Sequence, residues 1–174
     1  MNVLVVIPAR YGSVRFPGKP LALMHGKPMI QHVYEQAAKA SRADEVVVAT
    51  DDQRILEAIE RIGGKAVMTS ASARSGTDRV AEVARTRNAQ VIINVQGDEP
   101  LIQPDMIDQL AECLTQHAAV PMASLMTKLR REEDLNNPNV VKVVVDRDGF
   151  ALYFSRTPIP FIREGAGGRG RETG

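Results

Sequence analysis

Arg10, Arg15 and Lys19 fall within the segment Ala9-Arg10-Tyr11-Gly12-Ser13-Val14-Arg15-Phe16-Pro17-Gly18-Lys19-Pro20, directly after the apolar run Val3-Leu4-Val5-Val6-Ile7. Cations, a hydroxyl at Ser13 and two glycines make the composition of a polyphosphate cradle. Glycine lets the backbone approach a ligand closely, and free amides beside Arg and Lys suit charged oxygens. Neither common phosphate fingerprint is present. Pro20 follows Gly18-Lys19 where a P-loop needs Ser or Thr, and G-x-G-x-x-G is absent. A second loop, Ser75-Gly76-Thr77-Asp78-Arg79, opens a helix whose first amides are free to meet a ligand, with Ser75 and Thr77 as capping residues. A third, Gln96-Gly97-Asp98-Glu99-Pro100, carries Asp98, a candidate magnesium ligand. Magnesium is commonly held by one or two carboxylates together with substrate phosphates and water, so a carboxylate facing a cationic loop fits it. Taken alone, Gly-Asp-x-Pro is ordinary turn chemistry.

The elements that must position these loops alternate between strand and helix. Val3 to Ile7 reads as a buried parallel strand, because an apolar run is bounded by turn residues. A helix beginning near Pro28 buries Met29, Ile30, Val33, Tyr34, Ala37 and Ala38. Glu45–Thr50 is a second strand, and Asp51-Asp52 cap a helix that buries Ile55, Leu56, Ile59 and Ile62 and stops at Gly63-Gly64. Lys65–Met68 is a third strand, Ser75 to about Arg87 a helix with Val80, Val83 and Ala84 inward, and Gln90–Val95 a fourth strand. Pro104 starts a helix with Met106, Leu110, Cys113 and Leu114 on one face. Beyond it Met122–Leu129, Val140–Val145 and Phe150–Phe154 read as strands, with Asp146-Arg147-Asp148-Gly149 as a hairpin turn. The fold class is α/β: a Rossmann-like, doubly wound, mainly parallel mixed sheet. In such sheets the carboxyl ends of neighbouring strands share one crevice, so the three polar loops are expected to meet there.

Composition narrows the function classes. A chain of 174 residues is long enough for one domain with a real core, and a net charge of +1 argues against a nucleic-acid partner. Absence of Trp and few aromatics argue against a base-stacking platform. Cys113 is the single cysteine, which excludes an internal disulfide and a thiolate metal cluster. His25, His32 and His117 lack metal-ligand spacing, and no nucleophilic triad is readable from their order. No segment has the apolar length of a membrane span, and the chain opens on a core strand without a basic leader, so a cytoplasmic protein is expected. Residues 1–162 read as one domain and the glycine-rich 163–174 as a flexible tail.

Four segments carry a family resemblance: Ile7 to Leu21, Ser75 to Arg79, Asn94 to Ile102, and Asn139–Val144 with Ala151–Arg156. Together they resemble the 3-deoxy-manno-octulosonate cytidylyltransferases, or CMP-KDO synthetases. Asn94-Val95-Gln96-Gly97-Asp98-Glu99-Pro100 and Tyr153-Phe154-Ser155-Arg156 discriminate best, since the first loop alone is also similar to that of CMP-sialic acid synthetases. The resemblance implies a sheet of the nucleotide-diphospho-sugar transferase type. It implies transfer of CMP from CTP to the anomeric hydroxyl of KDO, with pyrophosphate released and Mg2+ present, for lipopolysaccharide biosynthesis. By the same resemblance Ala9, Arg10, Ser13, Arg15 and Lys19 bind the nucleotide at its triphosphate, and Ser75, Gly76, Thr77 and Arg79 lie against the cytidine. Asp98 holds the metal and acts with Arg10 and Lys19 in catalysis, while Gln96, Tyr153 and Arg156 face the sugar acid, Arg156 at its carboxylate. Family members are longer and form homodimers, which places further strands, more sugar-site residues and a second metal-binding aspartate beyond Gly174. Two alternatives stand beside this expectation: the same chemistry on sialic acid or another sugar acid, and a nucleotide-binding fragment without turnover.

Overall fold

The computed structural model describes residues 2–12, 16–117 and 119–161. The chain divides after Leu125 into two compact units.

In the first unit, β1 (Val3–Ala9) is buried along its whole length. A 3-10 turn (Lys19–Leu21) and a tight hairpin of β2 (Leu23–Met24) and β3 (Lys27–Pro28) lead into α1 (Met29–Ala37). Then come β4 (Glu45–Thr50), α2 (Gln53–Glu60), β5 (Ala66–Met68), α3 (Gly76–Ala84), β6 (Val91–Asn94) and α4 (Pro104–Gln116). The four-stranded sheet has the order β5-β4-β1-β6, and its pairings are all parallel. Strand alternation assigns the two faces. Val3, Val5, Ile7 and Ala9 pack with Ile30 and Val33 of α1, Ile55 and Ile59 of α2, and Ile107 of α4. Leu4 and Val6 turn the other way and pack with Val80 and Val83 of α3. With helices on both faces the sheet is doubly wound.

The chain moves outward from β1 to β4 and β5, then returns to lay β6 on the other side of β1. That reversal lies between β1 and β6, where open α/β sheets bind ligands. A proline marks the spot. Val95 N donates to Val6 O at 3.1 Å, so the β1 residues of that parity address β6. Pro8 has the same parity and no N–H, and the β1–β6 ladder ends at Val6↔Asn94 while β1 stays paired with β4 to Ala9↔Thr50.

Local signals explain the helix starts. Asp52 caps α2, its Oδ1 accepting from Arg54 N at 3.0 Å. A capping box of Ser75 and Asp78 begins α3. Asp108 on α4 accepts from the amides of Ser41 and Arg42 at 3.0 and 2.8 Å and from the Ser41 hydroxyl at 2.8 Å, fixing the turn between α1 and β4. Burial pushes the Asp108 carboxyl up, but the Arg42 and Ser41 amides and the Ser41 hydroxyl outweigh it and hold the group below the ordinary aspartate value.

Four expectations from the sequence need correction. Ala38 lies past the end of α1 and is exposed. The buried stripe of α4 runs through Ile107 and Ala111, with Leu110 and Leu114 partly buried against the same core, while Met106 is exposed. Ile62 lies past the end of α2 and is exposed. Met122–Leu129 forms no strand: its large apolar side chains are exposed and no neighbouring strand offers it a ladder among the described residues.

In the second unit, α5 (Glu132–Asn136) precedes an antiparallel pair, β7 (Lys142–Val145) and β8 (Ala151–Ser155), whose register shifts between Val144 and Val145. Asp146 builds the connecting turn, its carboxylate accepting from the amides of Asp148 and Phe150 at 2.9 and 2.8 Å. Lys142 is buried, and its Nζ donates to the carbonyls of Asn137, Val140 and Arg156 at 2.9, 2.7 and 2.8 Å. All three ammonium protons are thereby used. No helix among the described residues is long and apolar enough to cross a membrane.

Candidate active site

A cavity of about 750 Å³ opens at the carboxyl ends of β1 and β6. Its walls come from the segments after β1, before α3 and after β6, so the three polar loops named from the sequence surround one space.

The first wall contains Pro8, Ala9, Arg10 and Lys19. Gly18 has φ 72°, a left-handed conformation, and its amide donates to Tyr11 O at 2.9 Å. That bond closes the loop and delivers Lys19 to the start of the 3-10 turn. Tyr11 is held in turn by Arg54, whose guanidinium lies 3.5 Å from the ring centroid. Arg54 also pairs with Asp52 at 2.7 Å, and its side-chain hydrogen bonds hold the Asp52 carboxyl below its ordinary value. This link between the loop and α2 was not read from the sequence; Tyr11 and Arg54 carry no local spacing that signals it. Ser13 and Arg15 lie outside the described residues.

The wall after β6 contains Gln96, Gly97 and Asp98. Lys19 Nζ reaches Asp98 Oδ2 at 2.6 Å across 79 positions of sequence, with both side chains partly exposed. Gln96 Nε2 donates to Asn94 Oδ1 at 3.1 Å. Gly97 is required by space: a Cβ there would stand 2.7 Å from Pro8 O.

The third wall contains Ala73, Arg74, Ser75, Gly76 and Arg79. Gly76 sits on Pro8, where a Cβ would lie 3.3 Å from the ring Cγ. The Ser75 hydroxyl receives the Asp78 amide at 3.1 Å, and the Ser75 amide donates to the Asp78 carboxylate at 2.9 Å. Thr77 is exposed and does not line the cavity. Arg79 is buried, with its guanidinium bound to Asp51, Thr69 and Ser70. Arg74 is a cavity cation that the sequence reading passed over, although its position directly before a capping serine pointed there. Tyr153 and Arg156 belong to the second unit, where both are exposed and Arg156 Nη1 donates to Pro138 O at 2.8 Å.

No group of three or more His, Cys, Asp or Glu side chains suited to a metal occurs among the described residues. The cavity instead offers one partly exposed carboxylate, Asp98, beside cations. That donor set fits a hard divalent cation carried mainly by phosphate oxygens and water, and does not fit an all-protein cage.

Residues 4–170 match the cytidylyltransferase family model. The chain belongs to the cytidylyltransferase family. Within that family the chain is similar to the 3-deoxy-manno-octulosonate cytidylyltransferase of Pelobacter propionicus, 57% identical over 94% of this chain and 64% of that protein. The protein of the same name from Geobacter sulfurreducens is 55% identical over 94% of this chain and 66% of its own length. The chain therefore spans just under two thirds of these relatives. A solved CMP:2-keto-3-deoxy-manno-octonic acid synthetase complexed with CTP superposes with a TM-score of 0.90 at 48% identity, covering 94% of this chain and 68% of that one. The α/β fold read from the sequence is thus the cytidylyltransferase fold, with its parallel central sheet.

Proposed function

We propose that this chain carries the nucleotide site of an enzyme that transfers CMP from CTP to KDO, giving CMP-KDO and pyrophosphate. The observation that carries the reading is the convergence of the Arg10–Lys19 loop, Asp98 and the α3 N-terminus on one cavity, in a chain 48% identical to a synthetase solved with CTP. The names of the relatives support KDO as the acceptor.

Nucleotidyl transfer demands positioning and charge stabilisation and no protein nucleophile. The anomeric oxygen of the sugar acid attacks the α-phosphorus, the bond to the bridging α–β oxygen breaks, and the electron pair leaves with pyrophosphate. Arg10, Arg15 and Lys19, with Ser13 and Ala9, bind the triphosphate, and the cations neutralise the leaving group. Ser75 and Gly76 offer small side chains and the start of a helix to the nucleoside, while Thr77, outside the cavity wall, contributes as part of that helix start. Asp98 would hold Mg2+ at the α-phosphate, where the ion supplies Lewis-acid polarisation and a lowered hydroxyl pKa. Gln96, Tyr153 and Arg156 are assigned to the sugar acid, with Arg156 at its carboxylate. A cytoplasmic homodimer serving lipopolysaccharide biosynthesis, with residues 1–162 as the transferase domain, completes the reading.

Pyrophosphate release from CTP and Mg2+ tests it, with KDO as acceptor and sialic acid as control. Release with KDO alone is expected. Equal release with sialic acid would move the specificity to another sugar acid, and CTP binding without release would leave a nucleotide-binding fragment.

A further inference from the structure

The Arg79 side chain is 3% exposed, and its donors point into the protein. Nη2 donates to Asp51 Oδ2 at 2.7 Å, just past the end of β4, while Nη1 meets Thr69 Oγ1 and the Ser70 carbonyl just past β5. Thr69 is anchored independently, its amide and hydroxyl both donating to Thr50 O at 2.7 and 3.0 Å. One helical turn along α3, Glu82 accepts the Ser70 amide on both carboxylate oxygens at 2.9 and 3.1 Å. Residues three apart share a helix face, so Arg79 and Glu82 grip the same segment from below. That segment continues directly into Ala73, Arg74 and Ser75 on the cavity wall.

The geometry points to Arg79 as a positioning residue that, with Glu82, fixes residues 69–75 in the shape that accepts the nucleobase, and not as a contact to the nucleotide. The identity of that base rests on the function proposed above. A buried ion pair is a poor source of stability but a good source of a single defined arrangement. The phosphate-binding cations Arg10 and Lys19 stand on a different loop. Loosening 69–75 therefore impairs recognition of the nucleoside and leaves the grip on phosphates alone.

Arg79→Lys, Arg79→Met and Glu82→Ala are compared by calorimetry with CTP and with inorganic tripolyphosphate, and by hydrogen exchange of residues 69–75. Amide exchange in this segment is expected to rise about tenfold in each variant. CTP affinity falls about tenfold to a hundredfold, less for Lys than for Met. Tripolyphosphate affinity changes by less than about twofold. Equal losses for both ligands would overturn the proposal, since Arg79 would then touch phosphate. So would faster exchange with unchanged CTP affinity. Should Arg79→Met fail to fold, Glu82→Ala carries the test with the Arg79–Asp51 pair intact. A wild-type chain that binds tripolyphosphate but not CTP would sink the functional reading instead. In that event wild-type exchange rates in Arg79→Lys still overturn the positioning role, and raised rates support it.

Discussion

Lys19 Nζ stands 2.6 Å from Asp98 Oδ2, which pairs the cation assigned to the departing phosphates with the carboxylate assigned to the metal. Both side chains are partly exposed, at 40% and 52%, so the pair is worth at most about 1 kcal/mol and parts easily when either group finds a better partner.

Lys19→Ala is expected to weaken CTP binding by about tenfold or more while CMP binding changes little, because a charge-assisted contact to the outer phosphates is lost. Calorimetry with the two nucleotides measures the split. Equal losses would place Lys19 outside the polyphosphate site.

Asp98→Asn, made in a protein of the relatives' full length, should lower Mg2+-dependent pyrophosphate release by about a hundredfold or more. CTP binding without magnesium should hold or tighten, since a negative charge leaves the phosphate site. A near-normal rate would remove Asp98 from the metal role.

At Gly97 the obstacle to a side chain is backbone. Ala at this position must push the loop away from Pro8 O, now 2.7 Å from the Cβ position, at an expected cost of about 1–3 kcal/mol. Urea unfolding reads the loss, and an unchanged midpoint would mean that the loop and β1 separate freely.

Asp108→Asn should destabilise the first unit by about 1–2 kcal/mol near neutrality through its bonds to Ser41 and Arg42. The folded carboxyl lies below the ordinary 3.8, so its stabilisation is fully present above that value and is lost as pH falls through the folded pKa. The gap between variant and parent should stay constant from pH 8 to about 5 and close only below about 3.8. A gap that closed near neutrality would assign the effect to another group.

Lys142→Met strips the cation from three carbonyls in the second unit, at an expected cost of about 3 kcal/mol. Limited proteolysis around residues 137–156 should accelerate accordingly; unchanged cleavage would show that the turns hold without the ammonium.

Wherever one short signal decides an element, the sequence was a sufficient guide. Glu45–Thr50 has the observed strand limits, Asp52 caps the helix it was expected to cap, and Pro104 starts α4. The meeting of three loops was legible because parallel strands bring their carboxyl ends to one edge whatever their side chains. Side-chain destinations were harder. Arg79 reads as a cation beside a ligand loop, and only the fold reveals Asp51 and Thr69 waiting for it. The Met122–Leu129 segment has strand-like composition, yet a strand needs a neighbour, which composition does not supply. The burial of Lys142 has no local signal, because its three acceptors are backbone carbonyls, which look alike in every sequence.

Pro8 gives the binding cleft a covalent origin. Lacking an amide hydrogen, it leaves β6 without the donor that would carry its ladder with β1 past Val6↔Asn94. The ladder already stops there although Gly97 still packs on Pro8, and an arriving nucleotide does not have to break backbone hydrogen bonds between the two strands to enter. The ordering cost of the cleft falls on folding and not on binding, leaving more of each contact to appear as affinity. Apart from side chains that swing, β1 and β6 should superpose between the empty and occupied forms.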